Sequence, residues 1–306
     1  MKKFARNLLI FMGLNAGLII AATMLASRVV SERDFENGNT ASNLLFLSEN
    51  ERYDFLMLGT SHAEKFSLWH NHERVERLLG KKVVNLSEGG GGGGLVNQFI
   101  YFQYFLQKGN QAAALVYFID PFVFYNDDLD FNPYVYEKEP FYWDFLWLAL
   151  KNGIPEASLW NYFRSKIKPF WWQLRPESET EKSDFLEKAD TSIFKPRLEV
   201  IYSNGMDEKV RERKLETFFQ IVETAEAQNM RVLFVIPPTL LGTLPGTDKL
   251  TELLKKLKSE GRADFLDARN ALTDPALYYD HDHLNTAGIT AFTEQYLKPF
   301  LERKGE

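Results

Sequence analysis

The chain begins with a long apolar stretch. The remainder alternates short apolar runs with longer segments whose apolar residues recur every three or four positions. Lys2, Lys3 and Arg6 precede a run from Leu8 to Ala26 whose only strongly polar member is Asn15. A helix of roughly 18 to 20 apolar residues, rising about 1.5 Å each, matches the hydrocarbon thickness of a bilayer, and the basic flank predicts a cytoplasmic amino end. The expectation is a single-pass anchor over residues 1–30, with the main domain on the extracytoplasmic side of the cell membrane. A cleaved signal peptide is the rival, and it fits less well because Met24 stands where a small residue is wanted two positions before Ala26. Residues 31–51 are largely polar and read as a linker.

Five short runs then read as strands. Phe55–Leu58 ends at Gly59, Val83–Leu86 at Ser87 and a glycine tract, and Leu115–Ile119 at Asp120-Pro121; Arg231–Ile236 ends at Pro237-Pro238, and Asp264–Asp267 follows. Continuous apolar runs bounded by turn residues suit strands covered on both faces, the pattern of a parallel sheet. Helical spacing over Leu95–Gln107, Glu208–Gln228 and Lys249–Lys258 separates them, and Asn285 reads as the cap of a terminal helix. This predicts an α/β domain over residues 52–306, a flavodoxin-like three-layer α/β/α sandwich, with an insertion at about 122–204 where the alternation breaks. The insertion is crowded with aromatics: Phe141, Tyr142, Trp143, Phe145, Trp147, Trp160, Phe170, Trp171 and Trp172. They suit either the core of a subdomain or a lid or membrane-interface surface.

Composition narrows the chemistry. With 306 residues, 45% hydrophobic and 25% charged, the chain can bury a sizeable core. A net charge of −6 and a pI near 5.6 argue against nucleic acid as a partner, because phosphate binding needs clustered Lys and Arg. The absence of cysteine excludes disulfides, thiolate metal sites and a cysteine nucleophile.

Two motifs remain. Gly59-Thr60-Ser61-His62 places a serine in the turn after the first strand, at the sheet edge where ligands bind and where a following helix offers free N–H groups. Asp280-His281-Asp282-His283-Leu284-Asn285 lies just before the last helix in a chain with only five histidines. Serine needs a base to take its proton, imidazole suits that task, and a carboxylate orients the imidazole. One short loop could supply both His283 and Asp280.

Together, Gly59-Thr60-Ser61 and Asp280-x-x-His283-Leu284-Asn285 resemble the SGNH, or GDSL-like, hydrolase superfamily. The resemblance implies Ser61 as nucleophile, His283 as base and Asp280 as its orienter. Asn85-Leu86-Ser87-Glu88-Gly89-Gly90 is similar to the family's second block, which implies the N–H groups of Ser61 and Gly90, or alternatively Gly89, as oxyanion donors. The third block departs: Ile119-Asp120-Pro121-Phe122, with Asn126-Asp127 beyond, stands where Gly-x-Asn-Asp is expected. The anchor and the long insertion suit envelope members similar to the D-alanyl-transfer and alginate-acetylation proteins. They imply an esterase or acyltransferase acting on acyl groups, O-acetyl first, of an envelope glycan, with a membrane-bound acyltransferase as a further partner and no cofactor.

Alternatives stay open at this point. The protein could be an inactive partner that keeps the fold, or a metal-dependent hydrolase centred on residues 280–283, although no helix-borne ligand pair accompanies them and no metal site is assigned. His62 suits either a solvated turn or a substrate contact. Asp120 and Asn126 are further substrate-binding candidates, with Asp120 also suited to capping the next turn. The glycine tract lacks the Lys-Ser or Lys-Thr of a P-loop and reads as a floppy oxyanion loop that awaits its substrate.

Overall fold

A computed structural model describes residues 2–36, 43–167, 185–203 and 205–303. Phe170, Trp171, Trp172 and the insertion boundary near Asn204 lie outside them. Five strands, β1 (Arg52–Leu58), β2 (Val83–Asn85), β3 (Gln111–Phe118), β4 (Arg231–Ile236) and β5 (Asp264–Asp267), form one parallel sheet in the order β2-β1-β3-β4-β5. This is the flavodoxin-like doubly wound order, and its switch point lies between β1 and β3.

The unbroken apolar runs follow from burial on both faces. Leu56, Leu58, Leu115, Tyr117 and Phe234 pack with Ile100, Phe218 and Leu254 from the helices Leu95–Gln107, Glu208–Ala227 and Thr247–Ser259. The residues between them, Phe55, Met57, Val116, Phe118 and Val235, face the other way onto Val75, Leu79, Ile289 and Phe292. Alternate side chains of a strand point to opposite faces, so each strand feeds two cores. Asn285 caps the last helix by accepting a hydrogen bond from the Gly288 N–H at 2.9 Å. That helix, Thr286–Phe292, passes through a π turn before resuming over Lys298–Leu301, where Pro299 supplies no N–H to the preceding turn.

The insertion has two characters. Tyr136, Phe145 and Tyr162 are fully buried with their rings in edge contact, while Trp143, Trp147 and Trp160 are exposed. The amino-terminal helix, Lys2–Glu36, is long and apolar enough over Lys2–Val29 to cross a membrane, and its later turns pack against the insertion helix Glu156–Ile167. Polarity alone made residues 31–51 a linker. Residues 31–36 continue the helix, and Asn43 and Leu44 are buried, with their N–H groups donating to the Glu139 carboxylate at 2.9 and 3.1 Å.

Candidate active site

The site starts at Gly59. Its φ of +153° suits glycine, and a Cβ there would lie 2.6 Å from the Phe118 carbonyl oxygen on the neighbouring strand. The chain therefore turns tightly off β1, and Ser61 opens the short helix Ser61–Glu64 beside the switch point.

The second motif forms a closed loop. Tyr278 and Leu284 pair as an isolated bridge, and the Tyr279 N–H donates to the His283 carbonyl at 3.1 Å, which pins both ends. Within it the backbone N–H groups of Asp282 and His283 each donate to Asp280 Oδ1 at 2.7 Å. His283 Nδ1 lies 2.9 Å from Asp280 Oδ2, and His283 Nε2 lies 2.7 Å from Ser61 Oγ. Burial pushes the Asp280 carboxyl up, but the hydrogen bond and charge of His283, with the two backbone donors, outweigh it and hold the group below its ordinary range. The Tyr279 ring stacks on His283 at 5.6 Å between centroids, and the His62 ring lies 5.1 Å from it.

His62 is buried, not solvated. Its side chain is 4% exposed, with Nδ1 3.0 Å from Asp120 Oδ2 and Nε2 3.0 Å from Asp282 Oδ1. Burial opposes a charge there, yet the two carboxylates dominate and raise its pKa well above the ordinary histidine value, which favours the imidazolium. Asp282 moves the other way: burial pushes it up, and His62, His283 and Arg197 together hold it far below the usual range. Thr239 Oγ1 donates to Asp282 at 3.2 Å and Arg197 Nη2 at 3.1 Å. Asp120 corrects the capping expectation. Its side chain makes no cap bond and instead accepts from Thr60 Oγ1 at 2.5 Å and faces His62. The carboxamide of Asn126 bonds the Ile201 carbonyl and the Asp128 N–H, each a backbone partner, and none of its bonds reaches Ser61 or His283.

The glycine tract is packed rather than floppy. A Cβ at Gly89, Gly91, Gly92 or Gly94 would run into Glu64, Asn132, Glu88 or Asp130, so the backbone is pressed against side chains that only glycine admits. Gly90 is the open position: nothing lies within 4 Å of its would-be Cβ, but its φ of +58° is left-handed. It begins the turn Gly90–Gly92, where the first N–H has no acceptor within the turn. Beneath the tract sit two buried carboxyls, Glu64 and Glu88; burial first, then the charge of Glu64, pushes Glu88 well above the usual carboxylate range.

Ligand atoms of His62, Asp282 and His283 lie within 4.8 Å of one another, a donor set of metal-binding type. Each imidazole nitrogen in it already has a partner: Asp120 and Asp282 for His62, and Asp280 and Ser61 for His283. Thr239 and Arg197 were not singled out from sequence, for they carry no motif of their own, and Thr60 and Tyr279 stand within the two motifs without a role of their own being assigned. Thr239, just beyond Pro237-Pro238 at the exit of β4, had position as its one signal.

No protein-family model matches the sequence, and no curated protein does. A crystal structure of a provisionally assigned acylhydrolase from Bacteroides fragilis NCTC 9343 is similar in shape, with 12% identity and a TM-score of 0.40 over 84% of this chain and 91% of the other. Nothing about the chemistry of the site follows from that likeness.

Proposed function

We propose that the protein is a serine esterase or acyltransferase of the SGNH type, held at the extracytoplasmic face of a membrane, that acts on acyl esters of an envelope glycan. One observation carries the enzymatic reading: the unbroken chain of hydrogen bonds from Ser61 Oγ through His283 to Asp280 at the carboxyl edge of the sheet. Hydroxyl, imidazole and carboxylate in that order are what an activated serine needs.

The reaction follows from the roles. His283 Nε2 takes the Ser61 proton as Oγ bonds to the ester carbonyl carbon. The N–H groups of Ser61 and Gly90 hold the resulting oxyanion. The tetrahedral species expels the alkoxide, which takes the proton from His283 and leaves acyl-Ser61. Water or a sugar hydroxyl then gives its proton to His283 while its oxygen attacks the acyl carbon; the bond from that carbon to Ser61 Oγ breaks, and Oγ takes the proton back from His283. Asp280 keeps Nδ1 protonated and stabilises the imidazolium throughout. The glycan substrate is supported by the likeness to envelope acyl-transfer proteins and by the apolar amino-terminal helix. A fluorophosphonate probe should label the wild type and not Ser61→Ala. Equal labelling of both would remove the nucleophile. Mass spectrometry of envelope polymers from cells carrying Ser61→Ala should show altered O-acetylation, and unchanged acylation would remove the substrate.

A further inference from the structure

The helix Trp143–Lys151 is apolar on both sides. Phe145 and Ala149 face the core, as expected of a surface helix, but Trp143, Trp147 and Leu150, spaced four and three apart, make an exposed stripe on the other side. Trp160, on the helix Glu156–Ile167, is 56% exposed as well. These rings are not scattered. Trp143 packs on Phe141 at 4.9 Å, Phe141 on Phe163 at 5.7 Å, and Phe163 on Trp160 at 5.8 Å, giving one aromatic surface across both helices.

Its position supplies the occupant. The amino-terminal helix is exposed from Lys2 to Ala22, and burial begins only at Thr23 and Ser27. About 20 residues at roughly 1.5 Å each fill the hydrocarbon layer, which puts Thr23 to Arg28 at headgroup depth. The helix packs against Glu156–Ile167, and its Arg28 guanidinium lies 5.8 Å from the Tyr142 ring centre, one residue from Trp143. Tryptophan favours that depth, with its ring in the acyl boundary and its N–H in water. Lys151 and Arg164, exposed on the same two helices, suit anionic lipid phosphates.

We infer that Trp143, Trp147, Leu150 and Trp160 dock on the lipid surface of the bilayer, a second membrane contact beside the amino-terminal helix. This rests on that helix spanning the membrane. The second contact adds to the packing of that helix on the domain in fixing its tilt and holds Ser61 at a set height above the lipid, as suits a substrate carried at the membrane surface.

The chain contains no cysteine, so a single introduced thiol reports one position. The full chain would be reconstituted in vesicles of phosphatidylethanolamine and phosphatidylglycerol. Spin labels placed singly at Phe11→Cys, Leu150→Cys, Trp160→Cys and Lys255→Cys are read by their relative accessibility to oxygen and to a soluble nickel chelate. The Phe11 label should lie deep in the bilayer. Labels at 150 and 160 should show an oxygen-to-nickel ratio several-fold above that at Lys255, on the exposed side of the helix Thr247–Ser259. A deep Phe11 label with 150 and 160 as aqueous as 255 overturns the docking and leaves the span standing. An aqueous Phe11 label removes the span, and the docking with it. Labels at 150 and 160 shielded from both reagents mean that protein covers the face, which also overturns the lipid.

Discussion

Two histidines lie side by side at the centre of the site, and their partners set them apart. His283 has a carboxylate on one nitrogen and a hydroxyl on the other, whereas His62, 5.1 Å away, has carboxylates on both. A base must be able to accept a proton and give it back. His283 faces a neutral hydroxyl, the arrangement such a base needs, whereas His62 faces two carboxylates that favour its charged form. The same side chain is thus placed beside a hydroxyl in one position and between two buried carboxylates in the other.

The difference can be broken from either side. Replacing His283 with Gln or Ser61 with Ala should cost roughly 10³ to 10⁶ in kcat on a small acetyl ester, with the urea midpoint little changed. Comparable turnover would end the assignment of the base. Asp280→Asn should leave the fold intact and cost roughly 10⁴, because the imidazole loses the group that sets its tautomer.

His62→Gln should show the opposite signature. Removing the cation leaves Asp120 and Asp282 buried and facing a neutral group, a loss of about 3 to 5 kcal/mol in urea unfolding. The pH dependence has a definite sign. His62 is raised in the folded state, so its contribution is complete below about pH 6.5 and fades as pH climbs toward the folded value. Asp282 is lowered, so its contribution is complete above about pH 3.9 and fades toward acid. The stability gap between wild type and His62→Gln should therefore be widest between about pH 4 and 6.5 and narrow toward alkaline pH. A gap that ignores pH would mean the ring fills space and nothing more.

The smallest effect separates positions within the glycine tract. Gly90→Ala meets no neighbour and should cost about 1 to 2 kcal/mol for its left-handed backbone. Gly94→Ala should cost more, since its Cβ would strike Asp130, whose carboxylate is tied to Lys214 and to the Val96 N–H. Equal unfolding midpoints for the two variants would show that the tract yields more easily than its packing implies.

The strands, their parallel arrangement, the serine turn and the Asp-x-x-His loop were legible in the chain because each is a local pattern, whereas the meeting of that turn and that loop across 222 positions was implied only by the family resemblance. A strand buried on both faces must be apolar throughout, a tight exit from β1 favours glycine, and three residues suffice for Asp280 to reach His283. The fastening of His62 was not legible. Its carboxylate partners lie 58 and 220 positions away, and nothing next to His62 distinguishes a solvated turn from a sealed ion pair. The glycine tract misled for a related reason: alone it suggests chain entropy, and only the folded neighbours reveal backbone packed where no side chain fits. Tryptophans at 143, 147 and 160 promised either core or surface, and the sequence determined only that they were large and apolar. Tertiary structure decided which rings it buried, because burial depends on what arrives from elsewhere in the chain.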